Sequence, residues 1–231
     1  MRKKLNKEGK GFLFSNFFAP AISLVAFILA SGSIDIFGAW LAFGINFVGA
    51  TIVAILVWKF APEIANRRAS TREGTKSWDK VILLTYFILS LLVTPIIAGL
   101  DLGRFKWSHL GVSYCIAGIV LYISFYFLFY WALLVNEHFE GTSRIQKDQS
   151  HRVIMNGPYK YIRHPGYIAI MLNNLAYSFV VGSLFSLIPA VIAIITIVIR
   201  TSLEDKMLRN ELEGYSEYVK KTRYRLLPGL W

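Results

Sequence analysis

A chain of 231 residues with 55% hydrophobic side chains, 17% charged residues and a formal net charge of +11 is too apolar for an ordinary soluble domain, where apolar usage is roughly 45–50%. The positive charge does not indicate nucleic acid, because it sits in short loops beside apolar runs, with no groove-reading motif or basic-aromatic platform. The one cysteine, Cys115, excludes an intrachain disulfide or a paired-thiol zinc site and reads as a small buried hydrophobe.

A helix crossing the hydrocarbon core needs about 20 apolar residues. The first candidate is Phe17 to Ile34, which has no Ala-x-Ala-type cleavage pattern behind it and reads as a span rather than a signal peptide. The second runs from Ile36 to Phe60 after a hairpin link around Ser33-Ile34-Asp35. Pro62 to Lys80 is polar and reads as a solvated connector or surface helix. The third span is Val81 to Leu100 and the fourth Leu110 to Val135. The last apolar stretch, Tyr167 to Ile199, is about twice too long for a perpendicular crossing. Val181-Gly182-Ser183 near its middle predicts a turn between two short helices. The expected fold is an all-α integral membrane protein with about six transmembrane helices, or five if the last pair is re-entrant. Residues 1–136 form a four-helix membrane region, and 137–231 a loop, helical hairpin and tail that carry the chemistry.

Charge gives an independent count. The N-terminal MRKKLNKEGK holds five basic residues, and the Pro62–Lys80 loop holds Arg67, Arg68, Arg72, Lys76 and Lys80. The Asn136–Gly166 loop holds Arg144, Lys147, Arg152, Lys160 and Arg163, and seven more basic residues follow from Arg200 onward. The links at Ser33 and Gly182 hold none, and Asp101–His109 holds only Arg104 and Lys106. Six crossings put every heavily basic segment on one side, which the positive-inside rule makes cytoplasmic, together with both termini.

Two cytoplasmic segments carry unusual polar chemistry. His151-Arg-Val-Ile-Met-Asn-Gly-Pro-Tyr-Lys-Tyr-Ile-Arg-His-Pro-Gly-Tyr167 concentrates histidine, arginine and tyrosine just before a span. Asn156-Gly157-Pro158 is a turn signal, and Pro158 and Pro165 bias the residues before them toward extended backbone. Irregular backbone at that depth is tolerated where it is buried in protein or lines a cavity. The second segment, Arg200 to Arg209, puts Arg200 and Glu204 one helical turn apart, and likewise Asp205 and Arg209. The closing Tyr215–Trp231 stretch is basic and aromatic, as suits the headgroup layer. The short hairpin brings both segments together in one pocket of cations, carboxylates and aromatics. No metal-ligand spacing, phosphate loop or nucleophile elbow accompanies them.

GPYKYIRHPGY, followed after a hairpin by Glu204-Asp205 and a Gly-Tyr-x-x-Tyr tail, resembles the isoprenylcysteine carboxyl methyltransferase and phospholipid methyltransferase families. The likeness is strongest over His151–Trp231, with a weaker extension back through Asp101-Leu-Gly-Arg104-Phe-Lys-Trp107 to Asn136, as in bacterial members. The resemblance implies S-adenosyl-L-methionine in a cytoplasmic pocket of a bacterial inner membrane protein and a lipophilic acceptor reaching it from the lipid. On the matching motif, His151, Gly157, Tyr159, Arg163, His164, Pro165 and Tyr167 fall at cofactor-binding positions, and so does Glu204. Asp205 stands where many relatives have glutamate, and its shorter side chain makes that position less secure.

The chemistry assigns roles within that set. Methyl transfer from a sulfonium is an in-line displacement, so the enzyme mainly positions its reactants. The donor's ammonium and sulfonium suit Glu204 and the tyrosines, and its carboxylate suits Arg163 or His164. A carboxylate acceptor needs only a positioning cation such as Arg200, whereas an amine needs a base, Glu204 or His151. Arg200 and Glu204 are thus the candidate catalytic residues. On the plainer side, Arg163 and His164 read equally well as headgroup anchors, Pro165 as a helix start, and His109 and His138 as interfacial. Asn173, Asn174 and Asn46, inside apolar helices, serve either function or interhelical hydrogen bonding. Rival functions are an NADPH-dependent membrane sterol or enone reductase and a non-catalytic membrane protein. The methyl acceptor and the oligomeric state are not written in the sequence.

Overall fold

The computed structural model describes residues 4–68, 73–146 and 150–231, without the side chains of Arg67 and Arg68. Arg72 and Lys147, counted above among the loop charges, lie outside the described residues. Among the described residues every regular element is helical. Among these residues five helices are long and apolar enough to cross a membrane: Lys7–Ser31, Phe37–Phe60, Ser77–Phe105, Val112–Val135 and Leu187–Glu211. A shorter apolar helix, Pro165–Val181, joins them.

The first span is divided into α1 (Lys7–Ser15) and α2 (Phe18–Ser31). Asn6 caps α1 by accepting a 2.7 Å bond from the Gly9 N–H. The hairpin link leads into α3 (Phe37–Phe60), and α4 (Pro62–Arg68) begins on proline, which has no N–H to leave unpaired in a first turn. The segment expected as a solvated connector or surface helix is therefore helical over Pro62–Arg68.

The third span extends beyond its expected limits. α5 (Ser77–Ile88), a π turn at Leu89–Val93, α6 (Thr94–Gly99) and a second π segment, Leu100–Phe105, run on as one helix. Pro95 has no N–H for the Leu91 carbonyl one turn earlier. Ser23 of α2 donates to that carbonyl at 3.1 Å, so the freed backbone group finds a partner inside the bundle. At the far end, fully buried Asp101 accepts from the backbone and hydroxyl of Ser108 and, at 2.6 Å, from Ser183. Arg104 reaches across to the carbonyls of Leu29 and Ala30. These partners explain why residues expected in a loop continue the helix.

α7 (Val112–Val135) leads through a long loop and a single 3-10 turn, Gly157–Lys160, into α8 (Pro165–Val181). Gly182, at φ +90°, closes α8 in the left-handed conformation that favours glycine, which places the expected turn. The helix that follows is not short. α9 (Leu187–Glu211) continues 25 residues, so the polar segment from Arg200 is its own last turns rather than a separate cluster. After α9, Gly214 leads into α10 (Tyr215–Lys221).

One buried core joins α2, α3, α6, α7 and α8 around Phe27, Phe43, Tyr122, Ala176 and Val180. The core thus spans the expected division at residue 136. Small residues let backbones approach closely: a Cβ on Gly103 would lie 2.3 Å from the Ser31 carbonyl oxygen. Large apolar side chains such as Leu29, Phe37 and Val112 face outward, as a lipid-facing surface requires. The links at Ser33, Lys106 and Gly182 meet at one end of the bundle, where Leu110 donates to the Gly182 carbonyl at 3.0 Å. The opposite end holds α1, α4, the loop after α7 and the charged half of α9. Lys76 meets Glu211 there at 2.8 Å.

Candidate active site

At the charged end, the loop after α7, the start of α8 and the last turns of α9 line a pocket with room of about 90 Å³. Its walls include His151, Tyr159, Arg163, His164, Pro165, Tyr167 and Glu204. Of the residues singled out from the sequence, Gly157 and Arg200 are not in the walls.

Gly157 acts on backbone and packing. It has φ +56°, and a Cβ there would meet Val135 at 2.8 Å and the Trp131 indole nitrogen at 3.1 Å. The turn is thereby pressed onto the end of α7. Tyr159 follows, buried, and its carbonyl accepts a 2.6 Å bond from Tyr218.

Arg163 is turned away from the role of carboxylate clamp. Its Nε and Nη2 donate to Asp205 at 2.7 and 3.2 Å, and its Nη1 donates to the carbonyls of Thr222 and Arg223. A guanidinium committed in this way fixes the C-terminal tail against α9. The pairing continues along the backbone, where Arg163 and His164 donate to the carbonyls of Tyr224 and Arg225. Asp205 also receives Arg209 at 3.1 Å, Arg225 at 3.0 Å and the Tyr215 hydroxyl at 3.0 Å. Burial, with the Asp205 charge beside it, pushes the Tyr215 phenol above its usual range, so it stays a donor. The His164 ring lies 3.5 Å from Asp205 and stacks on Tyr167 with 3° between the ring planes.

Glu204, the next residue on α9, has a different setting. It is half-buried in the pocket wall, and both of its bonds, from the Tyr167 hydroxyl and from Ser143 at 3.1 Å, reach Oε2. Among the described residues no bond reaches the other oxygen. Behind this pair, Arg200 donates to Asp79 at 2.7 Å and to the Gly141 carbonyl at 2.8 Å, with its guanidinium 5.0 Å over the Tyr167 ring. Asp79 is fully buried, accepts from the Ser143 backbone and lies 2.9 Å from the Ser143 hydroxyl, whose single proton it shares with Glu204. Arg200 therefore anchors the two groups that hold Glu204 and does not meet the pocket, contrary to its expected role of contacting the acceptor.

The histidines are also redefined. His138, expected at the interface, is 6% exposed, and its ring lies 4.6 Å from that of His151. His151 Nδ1 accepts from the Gln146 N–H at 3.4 Å, so in the neutral ring the proton sits on Nε2. Burial first, then the charges of His138 and Arg144, lower His151 to about 4. In this tautomer Nε2–H donates, and a further proton would have to go to Nδ1, which the Gln146 N–H already occupies. His151 is therefore unsuited to the general-base role. Asp79 and Ser143 lie outside the sequence motifs and complete the support of the site. The one available signal was a carboxylate on the edge of an apolar run, which needs a partner when buried.

The fold and the pocket define an all-helical membrane protein with a polar site at its charged end. Residues 116–210 match the model of the isoprenylcysteine carboxyl methyltransferase (ICMT) family, so this part of the chain is similar to that family. The match runs from α7 through the whole of α8 to the end of α9 and takes in the pocket's Glu204; α1 to α6 lie outside it. No curated protein matches the chain.

Proposed function

We propose that the protein transfers a methyl group from S-adenosyl-L-methionine to a lipophilic acceptor that reaches the pocket from the membrane, with the charged end facing the cytoplasm. The observation that carries this reading is the setting of Glu204: a half-buried carboxylate, held from behind on one oxygen only, in a pocket walled by tyrosines. The donor set fits the group. Its cationic ammonium and sulfonium suit the open Glu204 oxygen and the faces of Tyr159 and Tyr215. Its carboxylate suits the Nε2–H of His151 and the Thr142 hydroxyl, which lines the pocket and has no partner among the described residues. When bound, S-adenosyl-L-methionine supplies the activated methyl group.

The chain's own residues hold and orient. Tyr167 and Ser143 fix Glu204, and Arg200 with Asp79 fixes Tyr167 and Ser143. Arg163, His164 and Asp205 close the tail over the site. This arrangement positions reactants, as an in-line displacement requires. A carboxylate acceptor needs no base, and an isoprenylcysteine-like acid fits that reading. For an amine, Glu204 is the remaining base candidate.

The test is isothermal titration of S-adenosylhomocysteine into detergent-purified protein, with NADPH titrated in parallel. Saturable binding of S-adenosylhomocysteine alone is expected. Binding of NADPH alone would transfer the pocket to a reductase, and binding of neither would remove the small-molecule reading.

A further inference from the structure

Inside the bundle, below the pocket, lie two cavities of about 130 and about 220 Å³ that share Ala19, Pro20, Asn46 and Asn173 in their walls. They are not plain hydrocarbon slots. Thr94, 2% exposed, lines the smaller cavity with its hydroxyl unpartnered among the described residues. The other threonines within helices, Thr51, Thr85, Thr196 and Thr201, each donate to a carbonyl of the preceding turn. Thr94 forgoes that bond. The Tyr177 hydroxyl and the Asn173 Oδ1 are buried and unpartnered in the same walls. The neighbouring polar groups are satisfied: Asn174 bonds Ser90 and Tyr86, and Asn46 bonds Tyr122. Three orphaned polar atoms around one void in an apolar bundle are disfavoured unless something in the void bonds them.

Helix geometry ties this void to the pocket. Gly166 lines the pocket, and Asn173 and Tyr177 follow it at seven and eleven residues, on the same face of α8. They stand about 10 and about 16 Å deeper along the helix. Phe139 stands between the two spaces. It lines the pocket, covers Gly166 so closely that a Cβ there would lie 2.5 Å from its ring, and packs 5.4 Å from Phe129 in the wall of the larger cavity.

We propose that these cavities receive the tail of the acceptor and that Asn173, Thr94 and Tyr177 select a lipid bearing a second hydrogen-bonding group, a hydroxyl or carbonyl, one to two nanometres along the chain from the methylated atom. The identity of this lipid as acceptor rests on the methyl-transfer reading above; the polar lipid site itself does not. Phe139 is the door between tail and reaction centre.

The experiment uses the full chain in detergent and two probes, a saturated long-chain fatty acid and the same acid with a mid-chain hydroxyl. Apparent Kd is read from the probe-dependent rise in thermal unfolding midpoint. The hydroxylated acid should bind wild type roughly fivefold more tightly, as one added net hydrogen bond gives. Thr94→Val and Tyr177→Phe remove only unpartnered oxygens, so both should fold as well as wild type without probe. Together with Asn173→Leu they should abolish the preference. Equal binding of the two acids, no binding of either, or a preference that survives in all three variants would overturn the proposal. S-adenosylhomocysteine titrated into the same samples reports separately on the pocket. Its failure with the lipid preference intact would remove methyl transfer and leave a polar lipid site.

Discussion

Glu204 and Asp205 are neighbours in sequence, yet they belong to two regions of opposite character. Adjacent residues on a helix point about 100° apart, so α9 turns one carboxylate into the pocket and the other into protein. Around Asp205, fully buried, the guanidinium groups of Arg163, Arg209 and Arg225 and the Tyr215 hydroxyl occupy both oxygens. Around Glu204, two hydroxyls occupy one oxygen and the other faces the pocket. A saturated anion holds a fold together, whereas an anion satisfied on one side can take a cationic ligand.

The strongest way to break this comparison is at its structural half. Asp205→Ala leaves the buried Arg163 guanidinium without a counter-charge, which costs about 3–5 kcal/mol, and Arg163→Ala removes the bonds that tie Asp205 to the Thr222 and Arg223 carbonyls of the tail. Both variants should therefore unfold at much lower temperature in detergent, or fail to accumulate. A well-folded Arg163→Ala that merely lost cofactor would return Arg163 to the pocket.

Glu204→Gln should do the reverse. The fold should hold, while affinity for S-adenosyl-L-methionine falls by roughly 10- to 100-fold, the weight of a charge-assisted contact. Titration and a melting curve on one preparation separate the two effects. Unchanged affinity with lowered stability would make Glu204 a second structural anion.

Tyr167→Phe sharpens the distinction further. It removes one of the two hydroxyls behind Glu204 and leaves Ser143 in place, so about 1 kcal/mol, or roughly a fivefold weaker titration, is expected. No effect would show that Ser143 alone orients the carboxylate.

A further effect concerns pH. His151 is held at about 4 in the fold, below the ordinary histidine value of about 6.5. Its folded pKa is depressed, so the unfolded chain binds the extra proton first. The stability it contributes is present in full above about 6.5 and is lost as pH falls toward 4. His151→Gln should flatten that part of the melting-temperature profile, and an unchanged profile would assign the acid sensitivity to other groups.

Much of this was legible in the residues themselves. Apolar run length and the one-sided distribution of lysine and arginine set the helical membrane class, because hydrophobic transfer and headgroup charge act on local composition. The Gly182 turn was visible because a left-handed residue ends a helix. The loop from His151 to Tyr167 and the acidic pair marked where the chemistry lies, and the structure brings most of those residues into one pocket. Only the tertiary structure decided which member of each set meets the pocket. Arg163 and Arg200 carry the same guanidinium as any free ligand, but Asp205 and Asp79, distant in sequence, claim them. Likewise the Gln146 backbone sets the His151 tautomer. Such choices depend on rotation around a helix and on partners tens of residues away, and a buried charge takes whichever counter-charge the packing brings within about 3 Å.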